Sequence, residues 1–571
     1  MNSRTLIATV LLPLLAGLSQ AQNKQPPFTV VEATIPEMQA ALARKRTTSR
    51  ELVTQYLVRI AMYDRVLHGL VTVNPKALAE ADERDRERAA GKVRGPLHGI
   101  PIALKDNIHT TDMPTTGGAL AFAGLIPPYE ATLTRNLREA GAIIIAKTTL
   151  IELANWVAGA PTPMPAYNAI VGFGFNPYDP RSDPRDTSDG RAVLSPGGSS
   201  SGAGTAANLW AANVGSDTGG SIVQPSNQAM LVGIRPTIGR ISRYGVIPIT
   251  AEHDTAGPMA RTVTDAAILL GALESASPDP HDPTTKTCAP PSNRNYAQFL
   301  KRDSLKGARI GVPRAFYYEA VNLPGEQRTR GGLNSEQQKV MARAIEVLKQ
   351  QGAEIVDPVV IPSFVDQDPK KNFLLWPYCS GAEQAKGKDE NCSVNFKYGM
   401  KRDFNRWLAS LGTSAPLKTL TELRQWNLAH AKAGAIKYGQ SRIDISDEMD
   451  LEEDRARNEA DVKKDQLLSR TNGIDAVLQA DHLDAILTPA SSAADLSARA
   501  GYPLIVVPFA MVPNGGGGQQ RQNTFPPGFN PRPAPYGVGF TGSACSEPRL
   551  LGIAYAFEQA TKGRVPPPLF P

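Results

Sequence analysis

Three short segments carry side chains that could do chemistry together. The first is Gly99-Ile100-Pro101-Ile102-Ala103-Leu104-Lys105-Asp106-Asn107, an apolar run that ends in a lysine. A lysine there is either a solvated strand end or, if buried, an amine whose proton is held less tightly than usual. The second is Pro196-Gly197-Gly198-Ser199-Ser200-Ser201-Gly202-Ala203-Gly204, which alone reads as a linker or a phosphate-cradling loop. The third is Gly215-Ser216-Asp217-Thr218-Gly219-Gly220-Ser221-Ile222. Its glycines permit a sharp turn that presents several backbone N–H groups to one point, so by itself it is equally an anion nest.

These segments need rigid elements beneath them. Ile100–Leu104 reads as a buried strand with its proline near the start. Residues 35–92 are helical in pattern, with Leu42, Leu52, Tyr56, Leu57, Ile60 and Leu67 largely at three- and four-residue steps and an N-cap offered by Thr47-Thr48-Ser49. Residues 130–141 read as an amphipathic helix and Ala142–Ala146 as a second buried strand, ended by Lys147. Strand, helix, strand favours an α/β core. Residues 173–198, crowded with Pro, Asp, Arg and Gly, read as a long loop, and a helix of small residues is expected from Ala203 to Asn213. The texture turns to long charged helices between 280 and 480, as in Glu336–Gln351 and Leu451–Ser469. Core-like runs return at Ala485–Pro489 and Leu504–Pro508, followed by the glycine-rich stretch 515–518 and a last helix over Glu547–Ala560.

The chain of 571 residues is long enough to bury a large core. Its net charge of +6 is small for that length, and no basic stretch interleaved with aromatics points to a nucleic-acid partner. At the N-terminus Arg4, an apolar run from Leu6 to Leu18, and Ser19-Gln20-Ala21 follow the order of an export signal, with cleavage expected after Ala21. That run is too short to span a bilayer, and stable membrane insertion is not expected. The four cysteines, Cys288, Cys379, Cys392 and Cys545, form no CxxC and no metal-ligand spacing. Cys379 and Cys392 are close enough in sequence for a disulfide in an oxidising compartment. For Cys288 and Cys545 the sequence offers no such argument.

Taken together and in this order, the three segments resemble the amidase signature family. The resemblance covers residues 95–275 most clearly. It extends to His253-Asp254-Thr255-Ala256-Gly257-Pro258-Met259-Ala260-Arg261-Thr262-Val263, to Asp265, and to the C-terminal strands and helix. It implies an α/β fold with a mixed central β-sheet flanked on both sides by helices, and a Ser–cis-Ser–Lys triad. Carried over by motif, Ser221 is the nucleophile, Ser199 the bridging serine after a cis peptide bond, and Lys105 the base. The N–H groups of Thr218, Gly219, Gly220 and Ser221 are the implied oxyanion hole. The domains implied are a leader at 1–21 and an amidase domain at 22–571, with its core at 95–275, a helical insertion or cap at 280–480, and a return to the core at 481–571.

The chemistry is coherent. A serine hydroxyl needs a base within hydrogen-bond reach, and a lysine whose pKa burial lowers can serve. Preorganised N–H donors hold the oxyanion, and water then frees the acyl group. Neither a metal nor an organic cofactor is needed. Asp217 is expected to shape the turn by hydrogen bonding. Two departures from the family pattern stand out. Ser199 and Ser221 are 22 positions apart (221 minus 199), a short spacing for the family. It fits either a shortened turn or Ser200 as the bridge. Val223 also stands where many members carry Arg.

Three rival readings remain. One is an α/β-hydrolase, in which Gly198-Ser199-Ser200-Ser201-Gly202 supplies GxSxG and His253, His281, His430 or His482 closes the triad. The second is a periplasmic solute-binding protein. The third is the amidase subunit of a tRNA-dependent amidotransferase. The reading preferred is a periplasmic or secreted monomer or homodimer acting on a small-molecule amide or peptide amide with a neutral or apolar acyl group. Residues 161–190 and the aromatics Phe373, Trp376, Tyr378 and Phe396 are the candidate walls of its pocket.

Overall fold

The computed structural model describes residues 27–158, 166–185, 189–197, 201–379, 391–514 and 525–571. The expected leader, Ser199, its cis bond, Ser200 and the 515–518 stretch lie outside the described residues.

The core is a mixed sheet of 11 strands. In chain order these are β1 (Leu70–Val73), β2 (Pro101–Lys105), β3 (Ile143–Thr148), β4 (Ala212–Asp217), β5 (Val232–Arg235), β6 (Thr255–Ala260), β7 (Arg309–Pro313), β8 (Glu354–Val359), β9 (Ala485–Pro489), β10 (Leu504–Val512) and β11 (Ala534–Thr541). Across the sheet they run β1-β3-β2-β4-β6-β5-β10-β11-β9-β7-β8. β2 lies parallel to both β3 and β4, whereas β4 and β6 are antiparallel.

The flanking helices include α1 (Ile35–Ala43), α2 (Ser49–Leu67), α3 (Ala77–Ala89), α4 (Thr132–Glu139), α5 (Ser201–Ala206), α6 (Val223–Gln228), α7 (Val263–Leu273), α8 (Ser335–Gln350), α9 (Asn395–Ser410), α10 (Ser441–Asp447), α11 (Arg455–Gln466) and α12 (Glu547–Thr561). Thr48 caps α2, accepting from the Glu51 N–H at 3.1 Å while the Glu51 side chain returns the bond. No helix of the described residues is long and apolar enough to cross a membrane.

Three expectations change. The helical stretch 35–92 is interrupted by β1, which pairs with β3 at the sheet edge. The helix expected over Ala203–Asn213 ends at Ala206, and Ala212–Asp217 is a strand. This strand is fully buried, and at Gly215 a Cβ would come within 3.1 Å of Ile222 and Met259. Crowding, not β-propensity, selects its small residues. Finally, 280–480 is not wholly a helical insertion or cap. It supplies β7 and β8, which finish the far edge of the sheet beside β9.

Both disulfides are present, Cys379–Cys392 as expected and Cys288–Cys545 in addition.

Candidate active site

Lys105 closes β2 and is completely buried. Its Nζ donates to the Ser216 carbonyl at 3.2 Å and to Ser216 Oγ at 3.1 Å. Asn107 Nδ2 donates to the same hydroxyl at 2.9 Å. No carboxylate pairs with Lys105 among the described residues. Burial brings its pKa down from 10.5 to about 8, against the more distant pull of Asp217 and Asp254. Lys147 makes the contrast. It sits beside Leu104 on β3, equally buried, but its Nζ lies 3.2 Å from Asp106 Oδ1 and bonds Thr115 Oγ1 at 2.7 Å. Of two buried lysines on neighbouring strands, one has an anion beside it and the other has a hydroxyl. Ser216 and Asn107 were not singled out in the sequence. Their signal was position alone, five residues before Ser221 and two after Lys105.

β4 runs directly into the turn that carries Ser221, and register places it beside β2, with Leu104 opposite Val214. Asp217 organises this turn from within. Its Oδ1 accepts the Gly220 N–H at 2.7 Å, and its Oδ2 accepts the Ile222 N–H at 2.7 Å. Arg235, at the end of β5, clamps the same carboxylate at 2.6 Å and the Asp217 carbonyl at 3.0 Å. Its other arm reaches the His253 carbonyl at 2.7 Å. Both Asp217 and Arg235 are fully buried, so the ion pair is a dry, multiply bonded one. Gly220 has φ +117, which side-chain-bearing residues rarely adopt.

The Gly220 N–H departs from its expected part in an oxyanion hole, because Asp217 already occupies it. Thr218 is held from outside by Asp254, its Oγ1 donating to Oδ1 at 2.6 Å. Ser221 itself is half-buried and Gly219 exposed, so the turn presents these two residues outward.

Ser199 lies outside the described residues, but its neighbours on both sides converge on α6, the helix that follows Ser221. A Cβ on Gly197 would fall 2.5 Å from Pro225 Cα, and one on Gly202 would fall 3.1 Å from the Pro225 carbonyl oxygen. Val223 packs in the main core instead of facing a ligand.

Of the four aromatics proposed for a pocket, Phe396 stands next to the turn. A Cβ on Gly219 would lie 3.8 Å from the Phe396 ring, so Phe396 flanks the turn. Phe396 packs against Tyr378, Trp156 and His253 at centroid distances of 4.2, 5.0 and 5.1 Å. Phe373 and Trp376 join Tyr378 around Arg499, whose guanidinium lies 5.1 Å from the Phe373 ring and 3.8 Å from the Tyr378 ring. Arg499 bonds Asp465 at 2.7 Å, the carboxylate that also accepts the Trp376 Nε1 at 2.9 Å, and Phe373 stacks in addition on Phe364 at 5.1 Å. In the loop at 161–190, residues 161–165 and 186–188 lie outside the described residues. Tyr167 there packs on Phe173 and Tyr438.

Ser200, the serine of the α/β-hydrolase reading, lies outside the described residues, and three of the four histidines offered for its triad are engaged with other partners. His253 is buried, bonded through Nε2 to Asn395 at 2.8 Å. Burial and then the charges of Arg499, Arg235 and Arg470 hold its pKa well below the usual 6.5. His281 stacks on Tyr244 and His430 on Trp426. The GxSxG elbow would need a strand before it, and no residue from Val193 to Gly197 is in one. Among the described residues no group of three or more His, Cys, Asp or Glu side chains is placed to hold a metal ion.

The family model described as Amidase matches residues 51–551. A probable amidase of Arabidopsis thaliana is 32% identical over 568 residues, covering 98% of this chain and 96% of its own. A glutamyl-tRNA(Gln) amidotransferase subunit of Thermosynechococcus vestitus is 32% identical over 530 residues, 93% of this chain and 98% of its own. Among solved structures, the native peptide amidase of Stenotrophomonas maltophilia superposes with a TM-score of 0.77 at 33% identity, covering 95% of this chain and 99% of that one. The chain belongs to the amidase family and is an amide-hydrolysing enzyme.

Proposed function

We propose that the enzyme hydrolyses a carboxamide through an acyl-enzyme on Ser221. Ser221 Oγ adds to the carbonyl carbon and passes its proton through Ser199 to neutral Lys105. The tetrahedral oxyanion rests on the backbone N–H groups of Thr218, Gly219 and Ser221, while the Gly220 N–H keeps the turn in shape through Asp217. Collapse breaks the C–N bond as the proton returns through Ser199 to the leaving amine. Water then adds to the acyl carbon by the same relay, and a carboxylate leaves. The observation that carries this reading is the buried Lys105, hydrogen-bonded to Ser216 and not to a carboxylate, beside the strand that ends in the Asp217–Ser221 turn.

The substrate proposed is the C-terminal amide of a peptide, or another primary amide or arylamide with an apolar acyl group. Phe396 beside Gly219, backed by Tyr378 and Trp156, supports it, since apolar side chains next to a reacting group favour apolar substituents. The similarity to a peptide amidase supports it as well. A second reading, the amidase subunit of an amidotransferase, draws on the Thermosynechococcus vestitus relative. Two disulfides argue for an oxidising compartment and against that cytosolic task. They also favour the periplasmic or secreted location proposed, with a mature chain beginning at Gln22.

The test joins labelling to turnover. A fluorophosphonate probe should modify Ser221, located by peptide mass, and a panel of amides with apolar, cationic and anionic acyl groups should favour the apolar ones. Labelling at any other serine removes the mechanism. Highest kcat/KM for anionic amides removes the substrate class.

A further inference from the structure

The run His253-Asp254-Thr255 belongs to the motif that marks this family, yet the proposed reaction assigns Asp254 no task. Asp254 directly precedes β6. Because β6 and β4 pair with Asp217 opposite Thr255, Asp254 stands beside Thr218, the first residue of the Ser221 turn. Its carboxylate ties three things together. Oδ1 accepts the Thr218 hydroxyl at 2.6 Å, and Oδ2 accepts the backbone N–H groups of Ile249 at 2.8 Å and Thr250 at 3.0 Å. The turn is therefore held twice, by Asp217 at Gly220 and Ile222 and by Asp254 at Thr218.

Resting on the proposed reaction, we propose that Asp254 is a positioning residue. Its carboxylate fixes the Thr218 end of the turn so that the backbone donors reach the oxyanion at a set distance, and its protonation loosens that end by removing the charge assistance of these bonds. A neutral carboxyl keeps the Thr218 contact only by turning it around, its O–H donating to the hydroxyl, and accepts from the two N–H groups without charge assistance, so the hold on the turn weakens. Oxyanion donors act through preorganisation, so a turn free to shift at one end loses transition-state stabilisation without losing substrate affinity.

The surroundings leave the carboxylate able to titrate. Burial pushes its pKa up to about 6, opposed by the Thr218 and Ile249 bonds and the Arg243 charge and reinforced by Asp403. The charged groups whose field on it is strongest, and Lys105, have partners of their own. Arg243 is bound to Asp282 at 2.7 Å. Asp403, from α9, is bound to Arg402 at 2.7 Å. Lys105, from β2, rests on Ser216. No cation pairs directly with Asp254 among the described residues. A cavity of about 360 Å³, lined by Asp254, Thr218, Ser216 and Asn107 and reaching the exposed Arg406, gives solvent a path to the carboxyl.

The test uses Thr218→Val, which removes the hydroxyl and keeps the backbone N–H, with Thr218→Ser as the conservative rescue. For a peptide amide, Thr218→Val should lower kcat at pH 8 about tenfold or more and leave KM within about twofold, because one end of the donor turn is freed. Its pH profile should keep the limb near 8 and lose the one near 6, and Thr218→Ser should restore both kcat and the lower limb. Thr218→Ala makes the same comparison should the valine melt early. A hydroxyl-free variant with wild-type kcat and both limbs overturns the proposal, as does a serine variant that rescues neither. Fluorophosphonate labelling in each variant separates the two levels. Failure to label Ser221 in the wild type sinks the reaction itself, whereas normal labelling with unchanged kinetics in Thr218→Val sinks only the role of Asp254.

Discussion

Replacing Lys105 with methionine should make the protein more stable and almost inactive. The side chain has no solvent exposure, and burial lowers its pKa from 10.5 to about 8. At about 1.4 kcal/mol per tenfold, that difference is about 3 kcal/mol. The folded value lies below the unfolded one, so between about pH 8 and 10.5 the unfolded chain holds the extra proton. Stability therefore rises with pH across that window, and the penalty is complete below it. Methionine keeps the length and carries no charge. It forfeits the two bonds to Ser216, at about 1 kcal/mol each. A net gain of about 1 kcal/mol at pH 7 follows, shrinking to nothing and reversing by pH 10. Urea unfolding of both proteins at the two pH values measures it. The same number governs catalysis. At pH 7 about one Lys105 in ten is neutral, against about one in three thousand for an ordinary lysine. In the wild type kcat/KM should thus climb about tenfold from pH 7 to its plateau, and Lys105→Met should fall by at least about a thousandfold. A methionine variant less stable than wild type at pH 7, or a flat profile from about pH 5 to 9, refutes the reasoning.

Other outcomes follow from the turn and its supports. Ser199→Ala should cut kcat by at least about a hundredfold while Ser200→Ala stays within about tenfold, and steady-state kinetics of the pair decides which serine bridges. Arg235→Met leaves the buried Asp217 carboxylate without its cation and should destabilise the fold by about 3–5 kcal/mol, read by chemical denaturation. Phe396→Ala should raise KM for apolar amides about tenfold with kcat less affected, measured on the same amide panel.

The parts of the site legible in the sequence are those built from local chain. A lysine closing an apolar run, a turn of Asp-Thr-Gly-Gly-Ser and two cysteines 13 apart each carry their signal within a few residues. The parts that were not legible depend on what the chain meets in space. Ala212 and Asn213 read as the end of a small-residue helix, whereas the small residues of β4 answer to close neighbours, Gly215 passing Ile222 and Met259, and not to strand propensity. Ser216 carries no motif of its own and becomes a neighbour of Lys105 only through the parallel pairing of β2 and β4. Arg235 reaches Asp217 from two strands away. β7 and β8 sit among long charged helices, and nothing local marks them as the far edge of the main sheet. The division among the aromatics has the same origin. Phe396 and Trp376 are equally apolar in the sequence, and only packing sends one to the Ser221 turn and the other to Asp465.

The two disulfides are nested, Cys379–Cys392 inside the span closed by Cys288–Cys545. Tyr378 immediately precedes the inner bridge, and Phe396 follows it by four residues. Backbone continuity through 380–391 is therefore not what keeps these two rings together, because a single cut there leaves both attached to one covalent frame. Such a nicked chain would run as one species without reductant and as two with it, a simple gel assay. The same property makes this stretch a place to open the chain for a reporter insertion or for new termini in a circular permutant. The outer bridge extends that tolerance to the covalent connection of any single cut between Cys288 and Cys545.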